Sequence, residues 1–442
     1  MKNIYRFILI VAAAMVVFSG CKKIIEKVPD TSISDQVALT TVEGLQAALV
    51  GTYNSLQNGD LYGGSIWTCG DMLANNVINS GQGNLVFEET QMIEKNMSPD
   101  NRLSGSLWQN AYYAINMANS VLEAVPEVDP APAVADQIRG ECLFIRAMLY
   151  FDLVRYFGNP NTGLGVPLMT TPSGIDAKPS RAPMEDVYAQ IIADLTEAAS
   201  LLPESNSNRA TSWAAKALLS RVYFYHGDEQ ACIDISTEII GSLKFSLVDS
   251  VLDNFGTKVT PEIIFAIMST TVNPSAGALG GYFRYASNGK FSPSSDVIKV
   301  FTFTGGLQDQ RYRNGFVIKD GKYFTTLYDD KYMNVPIIRF AEIYLNRAEM
   351  RYNRGNTQGA LDDMNMVRRR ALLPDETVVN PSKLYYERMK ELIFQGDNFF
   401  NQKRLKKASI SNKKLPWNSV RFMYLIPQRE IDVNPNLVQN TE

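Results

Sequence analysis

Arg146-Ala-Met-Leu-Tyr-Phe-Asp-Leu-Val-Arg-Tyr-Phe-Gly158 decides the fold class, because the same order of residue types returns twice further along the chain. A basic residue and an alanine, then a tyrosine-rich stretch closed by glycine, recur from Lys216-Ala217 to Gly227 and from Arg347-Ala348 to Gly355. Self-similarity of this kind marks stacked supersecondary units, none of which can bury its apolar face alone. Around the middle unit, Ala214, Ala217, Leu218, Val222 and Tyr225 fall at helical spacing, and Ala231, Ile235 and Ile239 repeat the stripe in the next segment. Stripes at that period are the buried faces of helices.

The last unit sharpens the assignment. Tyr344, Ala348, Gly355 and Ala360 sit at a spacing that resembles the tetratricopeptide repeat, in which small residues let two antiparallel helices approach closely. The pattern predicts helices over 41–56, 107–125, 132–157, 184–202, 211–226, 229–240, 336–354, 357–370 and 381–400, with a short buried strand over 262–268. Residues 59–102, rich in Gly, Asn and Ser, read as long irregular loops, as does the Gly and aromatic stretch 279–291. The expected fold is therefore mainly α: a tetratricopeptide-like scaffold of helical hairpins with long irregular loops and a few short strands.

The amino terminus has a different character. Lys2 and Arg6 precede an unbroken apolar run over 7–18, then Ser19-Gly20 and Cys21. That is the order of a secretory signal, and the run is too short to span a bilayer, which takes ~20 residues. Cysteine directly after Ser19-Gly20 matches a bacterial lipobox, although Phe18 stands where leucine is commonest. We read 1–20 as a lipoprotein signal peptide and Cys21 as the lipidated first residue of the mature chain, with an ordinary signal peptide and an incidental cysteine as the competing reading. Residues 21–35, polar and containing Pro29, read as a tether.

Composition excludes several classes. The apolar fraction of 45% and charged fraction of 20% are those of a folded globular chain. Loss of Lys2 and Arg6 with the signal takes the net charge from −3 to −5, which disfavours nucleic acid. Besides Cys21, only Cys69, Cys142 and Cys232 remain, an odd number that gives no disulfide framework. A single histidine, His226, excludes the usual zinc constellations and reads as a structural group at a helix end. No metal site, cofactor or catalytic residue is expected.

The order of segments over nearly the whole mature chain resembles the SusD/RagB family of Bacteroidetes outer-membrane lipoproteins. The resemblance is carried by Gly51-Thr-Tyr-Asn54, the stretch 146–158 followed by Val166-Pro-Leu168, Leu201-Leu-Pro203 and Arg209-Ala-Thr211. It continues through Pro261-Glu-Ile-Ile-Phe265, Ile338-Arg-Phe-Ala-Glu-Ile-Tyr-Leu-Asn346, Glu391-Leu-Ile-Phe-Gln-Gly396 and Asn434-Pro-Asn-Leu-Val-Gln-Asn440. The resemblance implies a lipid-anchored outer-membrane protein, facing the cell surface, that binds an oligosaccharide, or in some members a peptide. It implies delivery to a SusC-like TonB-dependent transporter, and no reaction. It also implies one SusD-like domain over 36–442: an N-terminal helix and loops (36–105), a helical scaffold (106–242), a mixed loop and ligand region (243–335), and C-terminal helices and tail (336–442).

One departure stands out. Where the family has an acid, a base and an acid, this chain has Gln395, Asn398 and Asn401 around Gly396 and Phe400. Exchanging all three leaves no buried charge without its partner, so the change reads as a coupled structural substitution. The chain is also short for the family, which suggests trimmed ligand loops.

Sugars present an apolar C–H face and a rim of hydroxyls, so a site needs flat aromatic rings together with amides or carboxylates. Trp67, with Asp71, Asn75 and Asn76 after it, lies in a loop region from which relatives draw contacts. Tyr282-Phe283-Arg284-Tyr285 lies in the other. These eight residues are the candidate ligand set. Trp108 and Trp213, beside alanine-rich helical faces, read as core, and Trp417 as structural. Two other classes compete with a glycan receptor: a lipid-anchored glycoside hydrolase, which needs two carboxylates facing each other across a cleft, and a tetratricopeptide-type protein-binding scaffold, which predicts no aromatic platform on the loops.

Overall fold

The computed structural model describes residues 39–442 except 175, 271, 273 and 408–414. The signal, Cys21 and the tether over 21–35 lie outside the described residues. The fold begins with α1 (Val42–Leu56), whose N-cap Thr41 accepts a hydrogen bond from the Gly44 amide at 3.1 Å. It continues through α2 (Ser65–Leu73), β1 (Val77–Asn79) and α3 (Phe87–Ile93). The scaffold helices follow: α4 (Arg102–Val128), α5 (Pro132–Phe157), α6 (Met184–Leu201), α7 (Ser212–His226) and α8 (Glu229–Gly241).

An inserted region then carries β2 (Ile263–Ile267), α9 (Gly277–Phe283), β3 (Phe291–Pro293), α10 (Ser295–Thr304), α11 (Gln310–Gly315), β4 (Phe316–Lys319), β5 (Lys322–Thr325) and β6 (Val335–Arg339). The chain closes with α12 (Phe340–Asn353), α13 (Thr357–Arg370), α14 (Pro381–Glu391), α15 (Asp397–Arg404) and the short α16 (Gln428–Val433). Helices α4 to α8 pack each on the next, α8 packs on α12, and α12 packs on α13. The helical stack is thus continuous, and the inserted region is looped out from it.

The repeated basic residue acquires a physical meaning in this stack. Arg146 on α5 holds Asp194 on α6 through two hydrogen bonds of 2.8 and 2.7 Å. Lys216 on α7 reaches Glu238 on α8 at 2.6 Å, and Arg347 on α12 holds Asp363 on α13 at 2.9 and 2.7 Å. Each repeat ties its first helix to the following one with a base–acid pair, and the two arginine pairs are buried. The closing glycines are less uniform. Gly227 and Gly355 take positive φ, 99° and 82°, as helix-ending glycines do, whereas Gly158 is extended and earns its place by space, since a Cβ there would stand 2.4 Å from the Val154 carbonyl oxygen.

Four predicted boundaries need correction. Residues 335–339 form a strand, not the start of a helix: Pro336 lacks an amide donor, Ile337 and Ile338 are β-branched, and β6 pairs antiparallel with the equally buried β2. The helix expected over 381–400 is broken between α14 and α15, where Phe394 and Gly396 take φ of 60° and 72°. Residues 59–102 hold α2, β1 and α3 instead of continuous loop, and α9 occupies the first half of 279–291.

Trp108 and Trp213 are core residues, and Cys142 and Cys232 are fully buried free thiols. His226 bonds Asp228 at 2.7 Å and Glu185 at 2.9 Å, tying the end of α7 to the start of α6. Beneath the strand seam, Arg339 reaches Glu262 at 2.9 Å and Glu391 at 2.6 Å, while Arg311 holds Asp309 at 2.7 Å and reaches Glu391 at 3.2 Å. This buried charge network joins β2, β6, α11 and α14.

Candidate ligand-binding site

The inserted region and the N-terminal segment meet in a small ladder. β1 pairs antiparallel with β3, Val77 opposite Pro293 and Asn79 opposite Phe291, and β5 packs beside β3. The ladder pushes three loops to one end: residues 80–86, residues 284–290 and the turn of the β4–β5 hairpin. That turn is Asp320-Gly321, with φ of 50° and 71°, the mirror-image geometry that suits tight hairpins.

Cross-bonds hold the three loops together. The Tyr285 hydroxyl donates to Asp320 Oδ2 at 3.0 Å, and Gln82 Nε2 donates to the same oxygen at 3.1 Å. Lys322 Nζ donates to the Ser80 carbonyl, Ser80 Oγ to the Gly289 carbonyl at 2.5 Å, and the Gly81 amide to Asn79 Oδ1 at 2.8 Å. The Tyr285 ring is half-buried, backed edge-on by Phe324 with centroids 5.2 Å apart. Asn288, exposed at φ 53°, stands beside it. The result is a solvent-facing rim with one supported aromatic ring, one carboxylate with two donors on it, and amides around them. Such a rim can bind a hydroxyl-rich ring by its face and edge.

The eight candidate residues divide into four groups. Tyr285, Tyr282 and Arg284 lie on the 284–290 side. Tyr282 stacks almost parallel on Phe291 at 5.5 Å, with Lys290, itself paired to Glu89, 5.6 Å from its ring centre. Arg284 donates to Ser287 Oγ at 2.8 Å and to the Asp329 carbonyl at 3.1 Å, which ties its guanidinium back onto the protein. Phe283, packed on Tyr328 and Phe394, is core.

Trp67 and Asp71 are not loop residues. Trp67 lies within α2, only 6% exposed, with its ring 6.4 Å from that of Tyr328. Asp71 on the same helix is fully buried, accepting from Asn76 Nδ2 at 2.6 Å and the Gly396 amide at 3.3 Å, and burial pushes its carboxyl up to about 7. The expectation of an exposed tryptophan platform fails because every residue of α2 is buried. Asn75 and Asn76 face a separate cleft at the other end of the ladder. Asn75 Oδ1 accepts from Lys95 Nζ at 2.8 Å, and Asn76 Oδ1 from Asn398 Nδ2 at 2.8 Å.

Asp320 and Gln82 were missed by the sequence reading. A signal for Asp320 existed: Asp-Gly between the alternating runs 316–319 and 322–325 is a strong hairpin mark. The three substituted amides also separate in space. Asn398 bonds Asn76 and Tyr385, Asn401 accepts from Arg404 at 2.7 Å, and Gln395 faces Arg339. Among the described residues, no group of three or more His, Cys, Asp or Glu side chains is placed to hold a metal ion, and no helix is long and apolar enough to cross a membrane.

Two family descriptions match the chain: "Starch-binding associating with outer membrane" over residues 25–224 and "SusD family" over residues 310–442. The chain belongs to the SusD family. A SusD-like protein P38 of Formosa agariphila is 30% identical over 236 residues, which are 52% of this chain and 44% of that protein. A SusD-like protein of Bacteroides ovatus is 30% identical over 229 residues, 49% of this chain and 38% of that one. These alignments span less than half the length of either relative. Among solved SusD structures, a superfamily protein from Bacteroides thetaiotaomicron is 28% identical, with a TM-score of 0.81 over 91% of this chain and 100% of its own. A laminarin-binding SusD-like protein shares the fold at 22% identity, with a TM-score of 0.75 over 90% of this chain and 98% of its own. The mainly helical architecture is therefore that of the SusD superfamily.

Proposed function

We propose that this SusD-family chain is a lipid-anchored, outer-membrane glycan receptor that captures an oligosaccharide at the loop rim and hands it unchanged to a SusC-like TonB-dependent transporter. The observation that carries the reading is the Tyr285–Asp320–Gln82 arrangement: a half-buried ring held by its hydroxyl, beside a carboxylate and amides able to bond sugar hydroxyls. The family description of starch binding at the outer membrane supports the ligand class and the location, and the lipobox at Cys21 supports the anchor. A tether over 21–35 keeps the receptor at high local concentration above a transporter mouth.

Calorimetric titration of residues 22–442 with neutral oligosaccharides tests the rim. Binding that Tyr285→Ala abolishes supports it, and unchanged affinity removes the rim from the reading. Binding of peptides with no saccharide bound would replace the ligand class. Co-purification of the full chain with a SusC-like barrel, and release of Cys21→Ala from the membrane fraction, test the partner and the anchor.

A further inference from the structure

At the opposite end of the β1–β3 ladder from the rim, a cleft of about 560 Å³ opens between α10, α14, α15 and the turn joining α2 to β1. That volume lies within the range of small-molecule sites. Tyr385 and Tyr386, ring centres 5.4 Å apart, form one wall. Tyr386 is 38% exposed, and Phe303, also in the lining, has 83% of its surface free.

The floor is built of amides whose bonds are almost all accounted for. Asn398 accepts from the Tyr385 hydroxyl at 2.9 Å and donates to Asn76, which donates to Asp71. This chain fixes the floor and leaves it little to offer a ligand. Gln402 is the exception. It is 1% exposed, its amide makes a long bond of 3.4 Å to the Ala74 carbonyl and also acts on the Tyr385 hydroxyl, and its Oε1 has no hydrogen-bond partner among the described residues. Buried acceptors are almost always paired, so this one, covered yet without a partner beside the cleft, gains a bond when the side chain turns toward a donor held there.

We infer that this cleft is a second saccharide site, taking a short unit whose apolar ring face lies on Tyr386 and whose hydroxyl donates to Gln402 Oε1. The combination selects the ligand chemistry. A purely apolar or aromatic occupant satisfies Tyr386 and Phe303 but leaves Gln402 open, whereas a sugar ring supplies both an apolar face and a ring of hydroxyl donors. The ligand class rests on the glycan reading proposed above, while the location does not.

Titration of residues 22–442 with maltotriose and with laminaritriose, in the wild type, Tyr285→Ala and Tyr386→Ala, distinguishes the two. Two trisaccharides per chain are expected. Tyr386→Ala should weaken one of them about tenfold and leave the other, and Tyr285→Ala should do the converse. Gln402→Leu should weaken the same site as Tyr386→Ala, with thermal melting of both variants recorded to establish that they fold. A single site that Tyr285→Ala removes and Tyr386→Ala leaves untouched overturns the second site and spares the rim. If neither trisaccharide nor any longer glucan binds the wild type, the glycan reading fails and this inference fails with it.

Discussion

Gly396 lies flat against the backbone of Trp67: a Cβ added to the glycine would stand 3.1 Å from both the Cα and the carbonyl oxygen of Trp67. Gly396 also takes φ of 72°, where a side chain is strained whatever the space. Helix α2 and the break before α15 can approach this closely only because Gly70 answers Gly396 from the other side, its own Cβ position 2.7 Å from the Gly396 carbonyl oxygen. Gly396→Ala and Gly70→Ala should each destabilise the protein by about 2–3 kcal/mol, measured as a lower midpoint in urea unfolding. An unchanged midpoint would show that this contact is slack.

Trp67→Ala should act as a core deletion. A loss of about 3–5 kcal/mol in stability is expected, with saccharide affinity of the folded fraction unchanged in calorimetry. Loss of affinity without loss of stability would return Trp67 to the binding site.

Asp320→Ala removes the acceptor that fixes both the Tyr285 hydroxyl and Gln82. Saccharide binding at the rim should weaken about tenfold, roughly 1.4 kcal/mol, with little change in melting temperature because the turn is exposed. Equal affinity in Asp320→Ala and the wild type would separate Tyr285 from any role in recognition.

Burial raises the Asp71 carboxyl to about 7. The neutral acid is favoured in the folded chain, so the stability it contributes is complete below pH ~4, where the unfolded carboxyl is also protonated. That stability is lost as pH rises to about 7, by up to about 4 kcal/mol. Asp71→Asn has no such proton to lose. Its melting temperature relative to the wild type should therefore climb between pH 4 and 7, and parallel curves would show Asp71 ionised throughout.

Arg146→Met should cost about 3–5 kcal/mol because it leaves Asp194 buried without its partner. The double variant Arg146→Met, Asp194→Leu should recover most of that loss in urea unfolding. No recovery would mean that Asn119 and the Thr170 carbonyl, the other groups Arg146 bonds, matter more than the ion pair.

The scaffold was legible because the order of base, alanine, tyrosines and glycine in α5 returns in α7 and α12. Helix α2 was not, since Gly63, Gly64 and Gly70 before and within it read as loop punctuation. The strand β6 was hidden for a related reason: a short apolar run reads equally as helix or strand until a partner such as β2 is seen. The rim was half legible, because Tyr285 advertised itself among glycines while Gln82 and Asp320 are ordinary surface residues until the ladder brings them together. Of the cleft, only Asn75 and Asn76 were legible. Asn76, Phe303 and the α14–α15 pair of Tyr386 and Gln402 come from three distant segments, and no local pattern records their meeting.

The helical stack runs from α8 to α12 without a gap, so the chain departs and returns at neighbouring points on it. Everything between residues 242 and 339 is in effect a cassette clipped into a finished frame. Lengthening such a cassette is cheap, since doubling a loop adds only about 0.6 kcal/mol of closure entropy. The frame can therefore stay constant while the rim is rewritten, and a lineage carrying this fold can change what it catches without relearning how to fold.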